Sequence, residues 1–227
     1  MRNGNKRIAA IIDYGMGNLF SVARACEIVG ITPDVTNDRK EIQKSDLVIL
    51  PGVGAYAGAM ARLRSLGLID TLKGLATDGK PFIGICLGMQ LMMRESEEFG
   101  IHEGLGLFPG KVVRLAGTEN GKPLKVPTVG WNRVLRASEW NGTLLSDTKE
   151  TDYLYFVHSN HVQLDNPTDA LAVTPFGDMK YCSAISRDNL FACQFHPERS
   201  REAGLRIYQL LAKRLFEKET EHSLVKV

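Results

Sequence analysis

The sequence predicts an α/β protein with a mostly parallel central sheet, helices on both of its faces and an antiparallel extension. Three observations carry this. Between Arg7 and Glu95, short continuously apolar runs alternate with segments whose apolar residues recur at helical spacing, the pattern of strand–helix–strand units on a parallel sheet. From Gly100 the helical spacing vanishes, glycines become frequent and short β-type runs follow one another, as in antiparallel additions to a sheet. One amphipathic helix then closes the chain.

Arg7 to Ile12 is apolar almost throughout, as expected of a strand covered on both faces. The Gly-rich loop Asp13-Tyr14-Gly15-Met16-Gly17-Asn18 follows. Asn18 is suited to cap a helix through Val29, with Leu19, Val22, Ala23, Cys26 and Val29 on one face and Gly30 just past its end. The Gly-x-Gly of this loop lacks the third glycine of a dinucleotide fingerprint and the lysine of a P-loop. Pro33 to Val35 and Leu47 to Leu50 read as the next strands, the second running directly into Pro51-Gly52-Val53-Gly54. Helical patterns cover about Ala57 to Leu66 and Leu68 to Ala76. A strand over Phe82 to Ile85 and a helix from Leu87 to about Glu95 come next. In the second half, strands are expected at Lys111 to Leu115, Arg133 to Leu135, Tyr153 to His158, Leu171 to Thr174, Tyr181 to Ile185 and Leu190 to Phe195, with a hairpin turn at Ser186-Arg187-Asp188-Asn189. The last helix runs from about Ser200 to Phe216, with Ala203, Ile207, Leu211 and Leu215 at i+4 steps, and the charged stretch from Glu217 to Val227 is expected to fray.

The 227 residues suffice for a full core, and one domain over 1–227 is expected, with no linker or repeat dividing it. Apolar content of 44% and charged content of 24% are ordinary for a globular chain. A net charge of +2 gives no reason to expect nucleic acid or an anionic membrane as partner. The apolar run Ile8 to Ile12 is too short for a signal-peptide core or a membrane span, so a cytoplasmic protein is expected. Cys26, Cys86, Cys182 and Cys193 show no C-x-x-C spacing and read as reduced thiols, without a disulfide framework or a zinc site.

The chemistry concentrates at Gly84-Ile85-Cys86-Leu87-Gly88. An apolar strand, a cysteine flanked at two positions on each side by glycine and a helical run make the layout of a nucleophile elbow, with Cys in place of Ser. The glycines let strand and helix approach at a strained turn. A cysteine at a helix start also faces unpaired N–H groups that favour thiolate. The second group is His196-Pro197-Glu198. Proline biases His196 toward extended backbone, where residues i and i+2 point the same way. Glu198 is thus placed to orient the imidazole, the base-plus-orienter half of a triad. An oxyanion needs donors, and the backbone N–H of Leu87 and the Gly52-Val53-Gly54 loop are the candidates. Taken singly, the cysteine could be a buried hydrophobe, the histidine a surface residue and the loop an ordinary turn. Their joint occurrence after strand ends is what points to one cleft.

With these residues in hand, the chain resembles the class I (triad) glutamine amidotransferases, through Gly84-Ile85-Cys86-Leu87-Gly88-Met89-Gln90 and His196-Pro197-Glu198. More narrowly it is similar to the glutaminase subunits of imidazole glycerol phosphate synthase, through Asp13 to Asn18, Pro51 to Gly54, Val129-Gly130-Trp131-Asn132 and Tyr155-Phe156-Val157-His158-Ser159. The resemblance implies a flavodoxin-like three-layer fold and hydrolysis of L-glutamine, with Cys86 as nucleophile, His196 as acid and base and Glu198 as its orienter. It implies contacts of Gln90, Glu98 and the backbone of Ser159 and the residues after it with the amino-acid end of the substrate, and no metal or organic cofactor. It also implies a partner: a (β/α)8-barrel cyclase, forming a heterodimer, that takes the ammonia to make imidazole glycerol phosphate. A glutaminase of this kind is nearly idle until that partner holds its ligand, and a flipping Gly52–Val53 peptide would be a physical switch. One departure stands out. The family usually has Pro-His-x-Gly-Trp-Asn, whereas this chain has Thr128 in the His position, which keeps open a paralogue serving another acceptor, for example in nucleotide-sugar or surface-polysaccharide synthesis.

Overall fold

The computed structural model describes residues 6–224, with side chains in the last helix described through Glu217. The first half alternates as read: β1 (Ile8–Ile12), α1 (Leu19–Ile28), β2 (Thr32–Thr36), α2 (Arg39–Lys44), β3 (Leu47–Leu50), α3 (Tyr56–Ser65), α4 (Ile69–Thr77), β4 (Phe82–Ile85) and α5 (Leu87–Leu91). The second half is strand-rich: β5 (Met93–Ser96), β6 (His102–Glu103), β7 (Phe108–Arg114), β8 (Thr118–Glu119), β9 (Lys122–Pro123), β10 (Thr128–Arg133), β11 (Leu135–Arg136), β12 (Tyr153–His158), β13 (Asn160–Leu164), β14 (Ala170–Phe176), β15 (Met179–Arg187) and β16 (Leu190–Cys193), before α6 (Arg201–Leu224).

The main sheet runs β2-β1-β3-β4-β16-β15-β13-β7-β5-β6, with β14 on β15 and β11 on β14. From β2 to β16 every pairing is parallel. From β16 onward the sheet is antiparallel apart from the β5–β7 pair. The period of two along each buried strand divides the core between the faces. Ala9, Ile11, Leu47, Ile49 and Ile85 pack with Val22 and Cys26 of α1 and Ile207 and Leu211 of α6. Ala10, Ile12, Val48, Leu50 and Phe82 pack with Met60 and Leu63 of α3 and Leu72 of α4 on the other face. Among the described residues no helix is long and apolar enough to cross a membrane.

Several elements differ from the sequence reading. In place of one strand at Arg133 to Leu135, β10 ends at Arg133 and β11 begins at Leu135, and β13 was not anticipated. The helix expected from Leu87 to Glu95 stops at Leu91, and Met93–Ser96 is a strand. The carbonyls that would carry the helix onward are taken by the chain that follows. Leu105 N–H donates to Leu91 O, Leu107 and Phe108 to Met92 O, Gly106 to Met93 O and Gly104 to Arg94 O. Helix α2 was not anticipated, because Ile42 alone of its residues is buried and no apolar period shows. It is set by Asp38, whose carboxylate accepts from the N–H groups of Lys40 and Glu41. Helix α6 continues past the expected end near Phe216 to Leu224; 225–227 lie outside the described residues.

Candidate active site

Cys86 sits between β4 and α5 with φ 55° and ψ −110°, a conformation that L-residues adopt only when the surroundings hold it. Two close approaches hold it. A Cβ added at Gly88 would collide with the Leu50 carbonyl oxygen of β3, and one at Gly84 would lie 2.5 Å from Met92 Sδ and 2.9 Å from Met89 N. Strand and helix can therefore meet only if both flanking residues lack side chains. Cys86 N–H also donates to Cys193 O at 2.8 Å, tying the elbow to β16. The thiol is 4% exposed. Its sulfur lies 3.8 Å from Val157 O and accepts from Gln194 Nε2 at 3.5 Å.

Strand β16 lies parallel beside β4, with Cys193 opposite Ile85, so the residues that follow reach the same end of the sheet as Cys86. His196 is extended, at φ −103° and ψ 92°. Its Nδ1 is 2.7 Å from Glu198 Oε1, both side chains being buried. A carboxylate only accepts, so Nδ1 carries the proton and donates. Burial, the largest single influence on the imidazole, pushes its pKa down. Cys86 and then Glu198 together outweigh it and hold the pKa up at about 10. His196 Nε2 and Glu198 Oε2 are buried without a hydrogen-bond partner among the described residues. His196 N–H is fixed by Tyr155 O at 2.8 Å, and its carbonyl by Ser200 Oγ at 2.6 Å.

The loop Pro51 to Gly54 departs from the simple expectation. Leu87 N–H is not free: it donates to Gly52 O at 3.4 Å. The Gly52–Val53 peptide thus turns its carbonyl toward the position where donors were expected. Gly54 is at φ +110°, and a Cβ there would lie 2.6 Å from Met16 Cε.

Cys86, Leu87, Val53 and Gly54 line a cavity of about 560 Å³ whose walls also include Gln90, Glu98, Arg114 and Ser159; Gly52, His196 and Glu198 are not part of its lining. Gln90 is buried, with Nε2 donating to Asn160 O at 3.0 Å and to Gln194 Oε1 at 2.9 Å. Glu98 is clamped at 2.6 Å by Tyr56 N–H on one oxygen and by Asn160 Nδ2 on the other. Ser159 lines the cavity while its carbonyl accepts from Leu115 N–H at 2.9 Å. His158, beside it, has its pKa pushed down to about 4, chiefly by burial. It is thus neutral near pH 7, with Nδ1 donating to Asn160 O at 2.9 Å and Nε2 accepting from Tyr181 OH at 3.1 Å. Thr128 pairs across the β10–β12 ribbon with His158.

Sequence reasoning missed Gln194, Arg114 and the side chain of Asn160. Gln194 was within reach: it precedes His196 by two residues in extended chain, the same spacing that linked His196 to Glu198. Asn160 and Arg114 face each other across the β13–β7 pair, a long-range register that no local pattern reveals.

The family described as Glutamine amidotransferase class-I matches residues 10–212. The chain is 44% identical over 204 residues to the imidazole glycerol phosphate synthase subunit HisH of Sulfurimonas denitrificans, covering 90% of this chain and 97% of the relative. It is 46% identical over 200 residues to HisH of Geobacillus thermodenitrificans, covering 87% and 91%. Among solved structures, PurLQS from Thermotoga maritima superposes with a TM-score of 0.68 at 20% identity, covering 92% of this chain and 99% of that one. A glutamine amidotransferase from the same organism gives 0.57 at 16% identity, covering 95% and 86%. At these identities the structures speak for the fold.

Proposed function

Because the chain belongs to the class-I glutamine amidotransferases and, within them, to the HisH subunits of imidazole glycerol phosphate synthase, we propose that it hydrolyses L-glutamine and hands the ammonia to a cyclase subunit of (β/α)8-barrel fold in a heterodimer. The observation that carries this reading is Cys86 on a strained elbow, with the His196–Glu198 pair at the end of the neighbouring strand, over a cavity walled by Gln90 and Glu98.

In the proposed reaction the Cys86 thiol gives its proton to His196 Nε2 and its sulfur attacks the substrate's side-chain carbonyl carbon. The C–N bond breaks as His196 gives its Nε2 proton to the leaving nitrogen, so ammonia departs and a glutamyl thioester remains. Neutral His196 then takes a proton from water and the hydroxide attacks the thioester; the C–S bond breaks, glutamate leaves, and His196 returns its proton to the Cys86 sulfur, restoring the thiol. Glu198 fixes the tautomer and stabilises the imidazolium. Glu98 is the anion for the substrate ammonium, with Gln90 and the backbone at Ser159 for the rest of that end.

The Gly52 carbonyl against Leu87 N–H suits a resting enzyme, since a carbonyl there repels an oxyanion. Turning the Gly52–Val53 peptide would present Val53 N–H instead. A partner surface is supported by exposed Val129, Trp131 and Tyr153 on the β10–β12 ribbon, the ribbon whose Tyr155 carbonyl holds His196 N–H. The four buried free cysteines suit a reducing cytoplasm. Thr128 favours a second reading, in which the ammonia serves another acceptor enzyme. Co-purification decides between the cyclase and another acceptor. The test of the chemistry is Cys86→Ala in the complex: glutamine-dependent synthesis is lost and ammonia-dependent synthesis is kept, whereas retained glutamine use overturns the mechanism.

A further inference from the structure

The loop Asp13 to Asn18 has no part in the chemistry above, yet it grips the peptide on which latency would depend. Tyr14 is fully buried, and its hydroxyl donates to Pro51 O at 2.8 Å. Its own carbonyl accepts from Arg62 Nε of α3 at 3.3 Å, so both ends of the residue are tied. The hydroxyl also fills the space behind Gly52: a Cβ there would collide with Tyr14 OH and lie 3.0 Å from Leu87 Cβ. On the far side, Met16 Cε closes on Gly54. One loop thus brackets the Gly52–Val53 peptide, whose carbonyl rests on Leu87 N–H.

We propose that Tyr14 is a positioning residue that holds the Pro51–Gly52 segment still and so keeps the Gly52–Val53 peptide in its resting orientation, making glutamine hydrolysis depend on the partner. A buried tyrosine with a satisfied hydroxyl is usually plain core packing. Here its acceptor is the carbonyl one residue before the peptide that blocks the Leu87 donor. Swinging Pro51 away would leave a buried hydroxyl and a buried carbonyl unpaired together. The Pro51 side of the Gly52–Val53 peptide is thereby held, so that peptide cannot turn by carrying Pro51 with it. Without the hydroxyl, Pro51 is free to move and the turned state is reached more easily.

The inference rests on the glutaminase reading. The experiment is glutamate release by the full chain, with and without the cyclase partner, for wild type, Tyr14→Phe and Met16→Ala. Tyr14→Phe keeps the ring and deletes only the hydrogen bond. The partner-free kcat is expected to rise about fivefold, the stimulated kcat to stay within about threefold, and the stimulation ratio to fall accordingly. Met16→Ala, which opens the other side of the bracket, is expected to move the ratio in the same direction and keeps the test alive if Tyr14→Phe does not fold. A ratio unchanged in the folded variants, or both rates falling in parallel, overturns the proposal and leaves the glutaminase reading standing. Wild type that releases no glutamate with its partner overturns that reading, and this one with it.

Discussion

Replacing Glu198 by Gln separates the chemistry of the His196–Glu198 pair from its packing. The change keeps size and a hydrogen-bonding oxygen but removes a charge at 2.7 Å from His196 Nδ1. A hydrogen bond to a charged group exceeds a neutral one by about 1–2 kcal/mol, which is roughly 5- to 30-fold in rate if the imidazolium forms in the transition state. An amide that turns its NH2 toward Nδ1 would also favour the wrong tautomer, so the expected loss in kcat/KM is roughly 10- to 100-fold. Stability should respond differently. His196 is held up at about 10 from 6.5, so its contribution is complete below about pH 6.5 and is lost as pH rises through about 10. Glu198→Gln gives up part of that. It also removes a buried carboxylate whose Oε2 has no partner among the described residues, and the two effects oppose. Removing one partner of a buried pair costs about 3–5 kcal/mol, less what the lost carboxylate's desolvation gives back, so unfolding free energy at neutral pH is expected to fall by about 1–3 kcal/mol. The assay is glutamate release with the cyclase partner from about pH 6.5 to 10, beside thermal unfolding. The basic limb of the kcat profile should move to lower pH, because one of the two groups that raise the imidazole is gone. Activity within about threefold of wild type, or a basic limb that stays in place, would refute the assignment of Glu198.

Gly88→Ala should cost about 3 kcal/mol or more in urea unfolding, because the new methyl collides with the Leu50 carbonyl rather than with a movable side chain; a loss below about 1 kcal/mol contradicts the close approach. Gly54→Leu forces a bulky residue to φ +110° against Met16 and should alter the stimulation of glutaminase activity by the partner, so an unchanged ratio counts against the switching peptide. Asn160→Ala removes the bond that holds one oxygen of Glu98. It should raise KM for glutamine by about tenfold while changing kcat little; a fall in kcat at constant KM would place Glu98 outside substrate binding.

The parallel half of the fold was legible because its strands are buried on both faces and carry continuous apolar runs, as in Leu47–Leu50 and Phe82–Ile85. What local pattern did not show was decided at long range. Leu87 to Glu95 has helical spacing throughout, but the carbonyls from Leu91 to Arg94 pair with the segment from Gly104 to Phe108, and five tertiary bonds outweigh one turn of propensity. The same division runs through the site. The elbow and His196-Pro197-Glu198 declare themselves locally, because strained turns and extended i, i+2 pairs need particular residue types. Their meeting depends on β16 joining the sheet beside β4 in parallel, although the antiparallel hairpin with β15 is all the neighbouring sequence announces. That insertion also makes Gln194 a bridge. With one amide it touches the Cys86 sulfur and the Gln90 side chain, so Cys86 and the wall of the cavity share a link. On the proposed reading, the Gly52–Val53 peptide could then turn without displacing Cys86, and partner dependence would reside in that single peptide.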